Sequence, residues 1–145
     1  MTADEVKERL RAYRRICNEC RELEQKIKDR REDMVQPRAV RTDAFRGSRG
    51  NGLENAIEII DECEHKLCAK KEARDKALKD VRVLISKVTG DSDEINQIRI
   101  ALKAYYLDRS SMYEVGVLIG YDERTAYRRV QKGAYIIAKV VSDCQ

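Results

Sequence analysis

The chain of 145 residues has room for one ordinary domain or two small units. Charged residues make up 39% of it and aromatics 6%, with one proline and no tryptophan, which suits long solvated helices better than a compact core. No apolar run of about 18 residues and no basic-then-apolar leader occurs, so a membrane-spanning class is excluded and a soluble, cytoplasmic protein is predicted.

Thr2 and Glu5 have the spacing of a capping box, in which a hydroxyl and a carboxylate each take a free amide at a helix start. A helix is predicted from about Ala3 to Met34, with Val6, Leu10, Tyr13, Cys17, Cys20, Leu23 and Ile27 on an imperfect heptad stripe. From Gln36 to Gly52 the pattern dissolves into a loop with one proline and three glycines. Arg38, Arg41, Arg46 and Arg49 against Asp43 give that loop a net charge of +3. Two readings stay open for it: an auxiliary arm that orders on DNA or on RNA polymerase, or a solubilising linker.

Asn51 is the predicted cap of a second long helix, whose stripe runs through Leu53, Ile57, Ile60, Cys63, Leu67, Ala77, Val81, Leu84 and Val88 before Gly90 ends it. Lys70, Lys71 and Arg74 interrupt the stripe. Neither long helix can bury its seam alone, so the two should pair as an antiparallel hairpin or with another subunit, and a homo-oligomer is expected. Asp91-Ser92-Asp93-Glu94 then caps a third helix, with Ile95, Ile98, Leu102 and Tyr105 on one side, ending near Leu107. Gly90 to Asp93 is the expected domain boundary. The fold class is accordingly all-α, with a coiled-coil-like helical hairpin over residues 1–90 and a three-helix helix-turn-helix module over residues 91–145.

Residues 111–131, SMYEVGVLIGYDERTAYRRVQ, carry most of the information. A helix-turn-helix needs a small residue where its two helices meet, a glycine in the turn, and apolar residues locking the pair. Gly116 supplies the first and Gly120 the second, while Val115, Leu118 or Ile119, Ala126 and Val130 supply the lock. Ser111 and Glu114 form a capping box that starts one helix near Met112, and Asp122 caps the next, which runs toward Val141. At about 100° per residue, Ala126, Val130, Gly133, Ile137 and Val140 share an inward stripe, and Arg124, Arg128, Gln131 and Tyr135 point away from it.

Arg124, Thr125, Tyr127 and Arg128 occupy the turns from which a recognition helix reaches base edges, and arginine is the usual bidentate partner of guanine. Arg129 and Lys132 lie toward the flank, where phosphate is the expected contact. Ser111 and Tyr121, at the starts of the two helices, complete the candidate DNA-binding set. Residues 122–139 hold Arg124, Arg128, Arg129, Lys132 and Lys139 against Asp122 and Glu123, so they too carry +3, within a chain whose formal net charge is only +4.

Cys17, Cys20, Cys63, His65 and Cys68 offer zinc-ligand chemistry, but positions three and five apart on rigid helices converge poorly on a tetrahedral ion. Apolar packing in the seam is the favoured role, with no metal and no cofactor expected, and Cys144 is read as a free thiol. His65 is the single histidine, and Gly47, Gly50 and Gly52 lack the strand and lysine of a phosphate loop, so the chain is not expected to be an enzyme.

The stretch from Ile95 to Val141 resembles the region-four module of bacterial sigma factors. Within that class it is similar to the RinA and ArpU-type late transcription regulators of phages of Gram-positive bacteria. The resemblance is carried by Tyr105 and Tyr106, by the turn Gly120-Tyr121-Asp122, and by Arg124-Thr125-Ala126-Tyr127-Arg128. It implies transcription activation through promoter DNA, with RNA polymerase as a possible partner. The chain departs from the pattern at Arg129, where such modules often carry an apolar residue, and nothing in it matches the promoter-melting region of a complete sigma factor. The alternative is a phage small terminase subunit, a ring protein that also joins a helix-turn-helix to a helical hairpin. A protein-binding adaptor that has lost DNA is a third reading.

Overall fold

The computed structural model describes residues 1–35 and 49–145. Five helices account for almost all of them, with no strand among the described residues: α1 (Ala3–Val35), α2 (Arg49–Ser86), α3 (Asp93–Leu102), α4 (Met112–Ile119) and α5 (Glu123–Asp143). The all-α class and the C-terminal helical module stand as the sequence predicts. α2 already includes Arg49, so Asn51 lies inside the helix and not at its cap.

The chain divides into two compact units, and the division does not fall at Gly90–Asp93. One unit is Cys17–Ala73, and the other joins Met1–Ile16 to Arg74–Gln145. The reason lies in the apolar stripes. Val6 and Leu10 of α1 and Val81, Leu84 and Ile85 of α2, together with Val88 just beyond it, bury themselves in one core with Ile98, Leu102, Val115, Ala126, Val130 and Ile137. A three-helix module this small gains stability from every further apolar side chain it removes from water, at about 25 cal/mol per Å².

Within the Cys17–Ala73 unit, α1 and α2 run antiparallel. Ile27, Ile60 and Cys63 are buried between them, flanked by Met34, Ile59 and Leu67. Charged pairs line that thin seam: Lys70 with Glu19 at 2.6 Å, Lys71 with Glu24 at 3.8 Å, and Arg31 with Glu64. The lysines that interrupt the α2 stripe thus have carboxylate partners across the hairpin. Each exposed pair contributes at most about 1 kcal/mol. Cys17, Cys20 and Cys63 are buried, and Cys68 and Cys144 are exposed.

The second unit is tied by local devices. At the start of α1 the Thr2 amide donates to Glu5 Oε2 at 2.6 Å and the Glu5 amide to Thr2 Oγ1 at 3.2 Å, the reciprocal pair expected there. Ser92 caps α3 by accepting from the Ile95 amide at 3.2 Å. α3 then continues through a turn of π-helix over Lys103–Leu107. The extra residue in that turn shifts the inward register by one. Tyr106, at 1% exposure, therefore takes the core position where Tyr105 was expected. Tyr105 is half-buried, packs edge-on against Tyr106 and stacks beneath the Arg14 guanidinium. Burial pushes the Tyr106 hydroxyl up to a pKa of about 12. Arg109 closes the segment in the left-handed region at φ 59°. A non-glycine residue there costs about 1 kcal/mol.

α5 passes close to α3 at Gly133. A Cβ on Gly133 would stand 2.7 Å from Leu102 Cδ1 and 3.0 Å from Ile98 Cγ2. Gly133→Val should therefore lower unfolding stability by about 1–3 kcal/mol, read as a shift of the urea midpoint. An unchanged midpoint would show that α3 and α5 are not in contact there.

Candidate nucleic-acid interface

The helix-turn-helix is assembled by four hydrogen-bonded devices that the local sequence dictates. Ser111 Oγ accepts from the Glu114 amide at 3.2 Å while the Glu114 carboxylate accepts from the Ser111 amide at 3.1 Å, which starts α4. Gly120 ends α4 in the left-handed conformation at φ 77°, where a side chain would be strained. The Tyr121 amide donates back to the Gly116 carbonyl at 2.9 Å. Asp122 Oδ1 accepts from the Thr125 amide at 2.9 Å and starts α5. Hydrogen bonds from Thr125 hold the Asp122 carboxyl below its ordinary range.

Gly116 is the pivot between α4 and α5. A Cβ there would meet the Tyr121 carbonyl oxygen at 2.7 Å and that of Asp122 at 3.1 Å, both backbone atoms that cannot step aside. Val115, Ala126 and Val130 complete the lock, each at 0–1% exposure. Of the two alternatives for the remaining apolar position, Ile119 packs against the core and Leu118 stands 60% exposed. Farther along α5, Gly133 and Ile137 are buried as the stripe requires, while Val140 is only partly so and Ala134 and Ala138 take its place inward.

Arg124, Tyr127 and Arg128 lie exposed on the outer side of α5, with Thr125 half-buried beside them. Neither arginine forms an ion pair with a described residue. Tyr121 is 47% exposed at the turn. Ser111 is exposed as a residue, but its hydroxyl is engaged at the cap. Gln131 is half-buried, and Tyr135 is exposed with the Lys7 ammonium 5.5 Å from its ring centre.

Arg129 and Lys132 are placed differently from the flank expected of them. Both reach Glu94 Oε1 on α3, at 2.6 and 2.5 Å. The Arg129 side chain is 23% exposed, and its guanidinium lies 5.7 Å from the Tyr121 ring centre. Position 129 is thus filled by an arginine that is mostly covered and whose charge is met by Glu94. Lys132, first, and then Arg129 hold the Glu94 carboxyl below its ordinary range. Of the auxiliary loop, Arg38, Arg41 and Arg46 lie outside the described residues, as does the side chain of Arg49.

Sequence reasoning missed the outer face of α4. Tyr113 and Val117 are 68% and 66% exposed, and with Leu118 they leave most of this short helix apolar toward solvent. The signal was available: once Gly116 and Val115 face inward, helical spacing sends 113 and 117 outward. Among the described residues, no group of three or more histidine, cysteine or acidic side chains is arranged to hold a metal ion. No family model, curated protein or solved structure matches the chain.

The depressed carboxyls of Asp122 and Glu94 set a sign for the pH response. A carboxyl whose folded pKa is lowered stabilises the fold fully above its unfolded value of about 4, and that contribution is lost as pH falls through the folded value. The double variant Asp122→Asn, Glu94→Gln keeps an N-cap acceptor but cannot titrate at either site. Its melting temperature should fall less steeply than that of the parent between about pH 5 and pH 2. Parallel acid limbs in the two proteins would contradict the assignment.

Proposed function

We propose that the protein is a sequence-specific regulator of transcription that binds double-stranded DNA, inserting the N-terminal half of α5 in the major groove. The observation that carries the reading is the pair Arg124 and Arg128: exposed, free of ion pairs with described residues, and fixed on the outer side of a helix whose inner side is locked through Gly116, Ala126 and Val130. Exposed guanidinium groups near the start of a helix whose inner side is locked suit bidentate contact with guanine. Tyr127, Thr125 and Tyr121 lie alongside for base or backbone contact. Glu94 moderates the part played by Arg129 and Lys132, so phosphate contact falls chiefly to the half-exposed Lys132.

The role in the cell is a phage or prophage late-gene activator acting in the host cytoplasm, without enzymatic activity, as the resemblance to the RinA and ArpU type implies. The antiparallel helices of the Cys17–Ala73 unit are the part proposed to hold a second copy or RNA polymerase. No described helix is long and apolar enough to cross a membrane.

Selection from a random duplex library followed by gel shifts tests this. Arg124→Ala and Arg128→Ala should each weaken the selected site by about 1–3 kcal/mol and relax base preference at one position. The exposed Lys79→Ala on α2 should leave binding unchanged. Equal binding by the double arginine variant and the parent would refute the docking, and a closed ring of about eight or more subunits would turn the assignment to the terminase reading.

A further inference from the structure

Within the unit of Met1–Ile16 and Arg74–Gln145, the start of α1 runs beside α5 in the opposite direction. Ser142 Oγ donates to the Met1 carbonyl at 3.3 Å, and farther along the Lys7 ammonium lies 5.5 Å from the ring centre of Tyr135, an exposed side chain of α5. Beyond that, Arg14 stacks 4.4 Å over the Tyr105 ring and donates to the Tyr105 carbonyl at 3.5 Å. Burial raises the pKa of the Tyr106 hydroxyl, Arg11 and Arg14 oppose the rise, and Tyr127 of α5 adds to it, so side chains of α1 and of the outer side of α5 meet around one group. The first turns of α1 therefore flank the face of α5 that the DNA-binding reading uses.

That flank is basic. Lys7, Arg11 and Arg14 are spaced four and three apart and so share one side of α1, with Arg15 one turn beyond Arg11. From Leu10 to Asn18 the chain holds no acidic residue. The Arg11 and Arg15 side chains are 54% and 61% exposed, and both lean on the one Glu8 carboxylate, at 3.3 and 3.8 Å. Glu8 against Arg11, Arg14 and Arg15 sums to +2. Exposed pairs of this kind are screened by water and yield to a denser anion. Helices packed side by side lie about 8–10 Å apart, axis to axis, whereas the major groove, about 12 Å wide, admits a single helix. With α5 in the groove, α1 falls over the sugar-phosphate rim, where a cation positions the protein without reading bases.

We propose that Arg11 and Arg15 of α1 contact the phosphate backbone beside the groove that α5 enters, so that the first helix of the chain is part of the DNA-binding surface. The proposal rests on the DNA-binding reading and adds to it a contact that is indifferent to sequence.

Affinity of the full chain for the selected duplex and for a scrambled duplex of equal length, measured between about 50 and 200 mM salt, tests it. Arg11→Gln with Arg15→Gln should reduce the slope of log affinity against log salt by about 1–2, one for each lost phosphate contact. The pair should weaken both duplexes by the same factor, about tenfold at low salt, with base preference and melting temperature kept. Arg11→Lys with Arg15→Lys should keep the slope, because phosphate accepts either cation. Lys76→Gln with Lys79→Gln, which removes the same charge from the exposed side of α2, should keep it as well. An unchanged slope in the Arg11, Arg15 glutamine variant, while Arg124→Ala still alters base preference, would overturn this contact and leave the docking of α5 standing. An equal loss in the α2 variant, or a changed base preference in the α1 variant, would also overturn it. A parent chain that binds neither duplex would remove the contact together with the DNA-binding reading.

Discussion

The geometry of the C-terminal module depends on a missing atom. Gly116 brings its backbone against the Tyr121 carbonyl oxygen, at a distance that a methyl group would shorten to 2.7 Å. Because the obstructing atoms belong to the backbone, no rotamer change relieves the clash. The turn Gly120-Tyr121-Asp122 can then close in three residues, and the start of α5 is fixed relative to α4. Ala126 and Val130 enter the core as a result, which forces Arg124 and Arg128 to the opposite side. Gly133 repeats the device one level out, letting α5 lie close on Leu102 and Ile98 of α3.

Charge does the complementary work. Glu94 holds two cations of α5 with one carboxylate oxygen and so joins α3 to α5 at the rim of the core. It also divides the basic residues of α5 into two kinds, those committed inside the module and those left outward. In the Cys17–Ala73 unit the apolar seam is thin, and ion pairs between α1 and α2 set the register more than they add stability.

The module was legible in the sequence wherever a rule acts within about four residues. The caps at Thr2, Ser111 and Asp122 and the turn glycine at Gly120 all formed as read, since each depends on its immediate neighbours alone. Asn51, a local cap candidate, was the exception and lies inside α2, and much of the rest that failed to show needed a partner from far along the chain. Arg129 looked like a flanking phosphate contact because Glu94 is 35 positions away. Val6 and Leu10 looked like hairpin seam because nothing local tells a residue of α1 that it shares a core with α5. Tyr106, four residues beyond Leu102, is buried where Tyr105 was expected three beyond it; both spacings suit a helical stripe, and the π turn over Lys103–Leu107 separates them. Leu118 and Ile119 were adjacent, and only the tilt of α4 on its neighbours separates them.

Four of the buried residues of α5, Ala126, Gly133, Ala134 and Ala138, are small, and beside them Val130 and Ile137 fill the core. Arg124 and Arg128 stand on the opposite, exposed side of the helix. Exchange at positions 124 and 128 therefore leaves the scaffold's packing in place, and the charge carried on the outer side of α5 can change without a change of fold.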